Sequence, residues 1–172
     1  MGARTALHVE ELHRQYSQRV YGYVYRRTTD VQLAQQITND VFRIAWQHEK
    51  EPSEDVLPWL LVTARNLVAN EFRATRRQRS LVEKLGGAEL ARRPEPEDDP
   101  GSGVRDVLNT LRPQEREILM LAYWDLLSIL EISSILECSP DSAKSRLFRA
   151  RKAFSKKAPN QMLKGGTSDG QH

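Results

Sequence analysis

A single cysteine, Cys138, in 172 residues excludes an intramolecular disulfide framework and fits a reducing compartment. No apolar run approaches the roughly 18 residues that a membrane-spanning helix needs, and the first residues lack the apolar core of a signal peptide. The expectation is therefore a soluble, cytoplasmic protein. The chain has no glycine-rich phosphate loop followed by Lys-Ser/Thr, no HExxH, and no carboxylate pair on a plausible helical site. His8, His13 and His48 show no metal-ligand spacing. These absences predict no enzyme, no metal and no cofactor. Sustained two-residue alternation flanked by hairpin turns is also missing, which argues against a sheet and for an all-α fold.

Charge of either sign is not in large excess, since the net charge is only +3, but it is unevenly placed. Residues 1–79 hold 12 Lys/Arg against 9 Asp/Glu, residues 80–110 hold 4 against 7, and residues 111–172 hold 10 against 7. Two mildly basic blocks thus flank an acidic one. The acidic block contains Gly86, Gly87, Pro94, Pro96, Pro100, Gly101 and Gly103, the run Glu95-Pro96-Glu97-Asp98-Asp99, and no aromatic residue. Such a segment cannot bury enough apolar surface to offset its ordering entropy. It reads as a linker over residues 80–103, with room for a short helix over Leu81–Leu90. Two small helical domains, residues 5–79 and 104–157, are expected on either side. A tail from 158 to 172, rich in glycine, is expected to be disordered.

In the first block Leu12, Tyr16, Val20 and Val24 recur every four residues. Asp30 offers an N-cap for a segment carrying Leu33, Ile37, Val41, Ile44 and Ala45. After a polar stretch, Pro58 opens a third helix with Leu60, Ala64, Leu67, Val68 and Phe72 inward. In the second block the periodicity predicts helices over Val104–Leu111 and Pro113–Trp124, then a short one carrying Ile129, Ile132, Ile135 and Leu136. Ser139, Pro140 and Asp141 form a start signal for the last helix: a cap acceptor, a residue without an N–H, and a carboxylate at the positive dipole end.

Lys144, Arg146, Arg149, Arg151, Lys152, Lys156 and Lys157 follow with no Asp or Glu among them. At about 100° per residue, with Ala143 at 0°, Leu147 falls near 40°, Ala150 near −20° and Phe154 near 20°. That narrow apolar stripe must face the domain core. The opposite side holds Asp141, Ser145, Phe148, Arg149 and Lys152, flanked by Ser142, Lys144 and Arg151. Two short helices, a tight turn and a cation-rich second helix describe a helix-turn-helix, whose Arg, Lys and Ser side chains suit base edges and phosphates. The third helix of the first block carries a second polar stripe. With Asn66 at 0°, Asn70 lies near about 40°, Arg73 near −20° and Arg77 near 20°. Two amides and two guanidiniums in line fit either nucleic acid or an ordinary solvated face.

These residues resemble the extracytoplasmic-function sigma factors of bacterial RNA polymerase. The resemblance covers nearly all of residues 7–157 apart from the linker. Asp30, Phe42, Ala45, Trp46, Trp59-Leu60 and Ala64-Arg65-Asn66-Leu67 match the family's region two in order and spacing. Leu111-Arg112-Pro113-Gln114-Glu115-Arg116-Glu117-Ile118, Leu127-Ser128, Glu131-Ile132, Lys144-Ser145-Arg146-Leu147 and Arg149-Ala150-Arg151 match region four.

What the resemblance implies is an alternative sigma factor with no catalytic residues, which binds core RNA polymerase and reads two promoter elements. Gln35, Gln36, Asn39 and Asp40 match the positions that dock on the polymerase clamp, although relatives usually hold acids at the two glutamines. The stretch from Gln47 to Pro58 corresponds to the segment that captures a flipped minus-ten base; here it is acidic and has no Phe, Tyr or Trp. Asn66, Asn70, Arg73 and Arg77 fall to the minus-ten element. Ser142, Lys144, Ser145, Arg146, Phe148, Arg149 and Lys152 fall to the minus-thirty-five element. An anti-sigma factor is the expected regulatory partner, and neither a membrane nor a small-molecule substrate is expected. Family members often carry glycine where this chain has Leu126 and Glu137. The competing reading is a helix-turn-helix regulator whose first domain senses a ligand or partner.

Overall fold

The computed structural model describes residues 2–48, 56–87 and 102–159. Among the described residues seven helices lie in order: α1 (Gly2–Thr28), α2 (Val31–Gln47), α3 (Val56–Lys84), α4 (Ser102–Thr110), α5 (Pro113–Tyr123), α6 (Ile129–Ile135) and α7 (Pro140–Lys157). No strand occurs among the described residues. The chain divides into two compact units, Met1–Arg93 and Pro94–His172.

In the first unit α1, α2 and α3 each pack on the other two. The join between α1 and α2 is short, and its residues meet several of the free backbone groups at the two helix ends. Thr29 adopts a left-handed φ of 53°, and its N–H bonds back to the Tyr25 carbonyl at 2.8 Å. Asp30 then caps α2, its carboxylate accepting from the Leu33 N–H at 3.0 Å. The buried Thr28 and Thr38 hydroxyls donate to the carbonyls one turn back, at 3.0 and 2.7 Å. Val20, Val24, Val41, Leu60 and Ala64 are fully enclosed, as the four-residue spacing predicts. Tyr23 is enclosed as well, its ring faced by the Arg27 guanidinium 3.5 Å from the centroid. Tyr16, Leu33, Ile44 and Leu67 are half-buried.

One expectation fails here. Phe72 is 49% exposed, because α3 outlasts its partners: every residue from 69 to 81 is exposed. The helix also runs through Lys84, five residues into the segment read as linker, so Leu81 to Lys84 extend α3 rather than starting a helix of their own. Residues 88–101 of that segment lie outside the described residues.

The second unit is built around α7, which packs on α4, α5 and α6. Pro113 occupies the first turn of α5, and Glu115 accepts from the Arg112 N–H at 3.2 Å. Helix α6 opens on a complete capping box. Ser128 Oγ accepts from the Glu131 N–H at 3.2 Å, and the Glu131 carboxylate accepts from the Ser128 N–H at 2.7 Å. Helix α6 closes with the Cys138 N–H on the Ser133 carbonyl at 3.0 Å and the Glu137 N–H on the Ser134 carbonyl at 3.4 Å. This pair of bonds needs a left-handed residue between, and Glu137 supplies it with φ 51°. Leu126, in the α5–α6 corner, has φ 54°. Both positions where relatives of the resembling family carry glycine thus keep the glycine backbone without the glycine. Ala158, the first residue of the expected tail, is buried, with its N–H on the Phe154 carbonyl at 2.8 Å. The tail from residue 160 onward lies outside the described residues.

Candidate nucleic-acid interface

The start of α7 forms as its residues dictate. Ser139 Oγ accepts from the Ser142 N–H at 3.1 Å, Pro140 fills the first turn, and Asp141 lies beside the N-terminus. Below this cap, Ala143, Leu147 and Ala150 are buried and Phe154 is half-buried, so the apolar stripe faces the unit's interior. The opposite face is consequently turned outward. Lys144, Ser145, Arg146, Phe148, Arg149 and Lys152 are exposed, and Ser142 is half-buried. All seven residues assigned to the upstream element therefore belong to one helix; six share its outer side, and Arg146, about 40° from the buried Ala150, lies at the edge of the apolar stripe.

Not every cation of α7 is available to a ligand in the same way. Arg151 donates from Nε to the Tyr123 hydroxyl at 2.5 Å, with its guanidinium 5.5 Å from that ring's centroid. Lys157 donates to the Thr110 carbonyl at the end of α4. These two clamp the recognition helix to α5 and α4, a structural use of charge that the sequence did not reveal. Lys144 lies 3.8 Å from Asp141, an exposed pair that is worth little and is readily exchanged for a phosphate. The Lys152 ammonium sits 4.7 Å over the ring of Phe148, which is itself 57% exposed. Arg149 has neither a hydrogen bond nor an ion pair among the described residues. A large bare aromatic between two cations is costly on a solvated face and useful against a groove, where apolar side chains meet thymine methyls.

The second stripe forms on α3. Asn66, Asn70, Arg73 and Arg77 are all exposed. Arg73 donates from Nη2 to Asn70 Oδ1. On α2, Gln35, Gln36 and Asn39 are exposed and Asp40 is half-buried. The Asp40 carboxylate already accepts from Arg43, with Nη2 at 3.0 Å and Nε at 3.3 Å. The one carboxylate among these four residues is therefore neutralised within its own helix, a feature that a reading of matched positions missed. Residues 49–55, the middle of the stretch tied to base capture, lie outside the described residues.

Among the described residues no cluster of His, Cys, Asp and Glu could hold a metal ion. No helix among them is long and apolar enough to cross a membrane. Cys138 is a free thiol of intermediate burial.

Two family profiles match the chain: sigma-70 region 2 over residues 12–78 and sigma-70 region 4 over residues 103–154, together more than half of its length. It is similar to the ECF RNA polymerase sigma factor BldN of Streptomyces coelicolor, at 28% identity over 87% of this chain and 60% of BldN. The chain thus spans well under the full length of that relative. It is also similar to the ECF RNA polymerase sigma factor SigM of Bacillus subtilis, at 27% identity over 83% of this chain and 90% of SigM. Among solved structures it matches the sigma factor RpoE in complex with the anti-sigma factor NepR from Bartonella quintana. That match has a TM-score of 0.65 and 19% identity, over 86% of this chain and 94% of RpoE, and so bears on the fold alone. With one region on α1–α3 and the other on α4–α7, the chain belongs to the sigma-70 family, among its extracytoplasmic-function members.

Proposed function

We propose that this chain works as an alternative sigma factor: a dissociable subunit that brings core RNA polymerase to a promoter and opens the DNA there. The observation that carries the reading is the pairing of two outward stripes on separate units, each opposite a buried apolar stripe of its own helix. Helix α7 reads the minus-thirty-five duplex. Arg149 and Lys152 reach base edges or phosphates, Ser142 and Ser145 hydrogen-bond to either, Phe148 contacts methyl groups, and Lys144 and Arg146 hold the backbone. On α3, Asn66 and Asn70 pair with base edges of the minus-ten element while Arg73 and Arg77 neutralise phosphates. Gln35, Gln36, Asn39 and Asp40 of α2 dock on the polymerase.

No residue performs covalent chemistry in this scheme; binding energy is spent on register and strand separation, and nucleotide addition belongs to the core enzyme. The work is done inside the cell, beside the polymerase. An anti-sigma factor that covers these surfaces supplies the control, by analogy with the matched sigma factor RpoE in complex with the anti-sigma factor NepR. Run-off transcription with core polymerase on a genomic DNA library tests the reading and returns the promoter. Opening of a discrete set of promoters supports it. A helix-turn-helix regulator would bind DNA without conferring open complexes.

A further inference from the structure

We propose that Tyr123 is a positioning residue for upstream DNA: it holds Arg151 by Nε so that the guanidinium meets a backbone phosphate end on. The proposal deepens the assignment of α7 to the minus-thirty-five element and rests on it. Tyr123 closes α5 and is 49% exposed, whereas Ile118, Leu119 and Leu121 of the same helix are buried. Its ring therefore adds little to the core. Its hydroxyl instead accepts from Arg151 Nε at 2.5 Å, with the guanidinium carbon 5.5 Å from the ring centroid.

A guanidinium carries one N–H on Nε and four on the two Nη nitrogens. A phosphate takes two of them together, either side on through Nε and one Nη, or end on through both Nη. With Nε given to Tyr123, the end-on pair remains, and Arg151 makes no other hydrogen bond among the described residues. The place of Arg151 on the helix suits this use. At about 100° per residue, with Ala143 at 0°, it lies near 80°, beside Lys144 near 100° and Ser155 near 120°. Arg151 thus continues the flank on which Lys144 is assigned to the DNA backbone. The two are about 10 Å apart along the axis, which is about three base steps of one strand. An open groove of about 490 Å³ lies beside them, lined by Phe148, Arg151, Lys152, Ser155 and Lys156. Three cations and a hydroxyl line it without a carboxylate, a composition that suits a phosphodiester. A long side chain loses rotamer freedom when it binds, and a tyrosine that orders it beforehand removes part of that cost.

The test uses the full-length protein bound to core polymerase and a duplex carrying the upstream element of a promoter that it opens. Tyr123→Phe, which keeps the ring and loses the acceptor, should weaken binding about two- to tenfold, with base preference and salt slope unchanged. Arg151→Ala should lower the salt slope by about one counterion. In that background Tyr123→Phe should cost nothing further. A scan of neutral methylphosphonates along the duplex should find one phosphate whose replacement erases the effect of both substitutions. Unchanged affinity in Tyr123→Phe, an equal loss in the Arg151→Ala background, or a loss that survives at every methylphosphonate position overturns the positioning role and leaves the sigma reading intact. A lower unfolding midpoint together with altered base preference does the same, since it marks Tyr123 as a prop for α7. Failure of the wild-type protein to bind the duplex or open the promoter overturns both.

Discussion

Arg149 projects from α7 on the side away from Ala143, Leu147 and Ala150, and a guanidinium there can pair with both acceptors of a guanine. Replacing it with alanine should cost about 1–3 kcal/mol on the upstream element and relax base preference at one position. An unchanged affinity and preference, measured by competition binding, would remove Arg149 from the readout. Lys144 plays a different part. Lys144→Ala should weaken binding evenly across sequences and lower the salt slope by about one counterion. At Glu137 the backbone holds a left-handed φ that costs a non-glycine residue about 1 kcal/mol or more. Glu137→Gly should therefore stabilise the second unit by about 0.5–1 kcal/mol, even after the entropy of glycine in the unfolded chain is counted. A thermal melt with no gain would mean that the carboxylate contributes something of its own. The sequence identified Glu137 and Leu126 as unusual, but only coordinates could show that the backbone kept the glycine conformation.

Individual elements were legible where a start signal and a periodic stripe coincide. Asp30 before α2 and Ser139 before α7 both accept first-turn N–H groups, and the buried stripe of α7 is the one that its spacing predicts. Ser139→Ala should cost the second unit about 1 kcal/mol, seen as a lower unfolding midpoint. An unchanged midpoint would indicate that Pro140 and Asp141 suffice. Legibility fails where periodicity outruns packing. Phe72 continues the apolar repeat of α3, yet no other helix reaches it, and repeat arithmetic has no knowledge of partner length. The links Arg151–Tyr123 and Lys157–Thr110 join residues 28 and 47 apart in the chain, a distance that no local pattern spans. For α3, the double variant Asn66→Ala, Asn70→Ala should impair strand opening more than duplex binding. Equal loss in both assays would argue against a role in the open strand.

At the scale of the whole molecule, the two signs of charge nearly balance, and what distinguishes the faces is where the cations are placed. A net charge of +3 leaves the protein far from a polycation, so general attraction to DNA is weak and, on the proposed reading, position comes from the polymerase. The proposed docking residues on α2 fit that division of labour: three amides and a carboxylate bound to Arg43 rely on hydrogen bonds more than on steering. Gln35→Glu with Gln36→Glu should accelerate association with core severalfold at low salt, and the advantage should fade as salt is raised. No change would mean that this face does not meet a basic partner.

The most direct measurement is permanganate footprinting of a promoter recovered from the genomic library, with purified core polymerase and this chain as the sole added factor. The account predicts unpaired thymines around the minus-ten element with the wild-type protein. It predicts a closed complex with the Asn66→Ala, Asn70→Ala variant, and lower occupancy of the promoter with Arg149→Ala. A chain that leaves core polymerase unbound, or that binds it and leaves every promoter closed, would contradict the account.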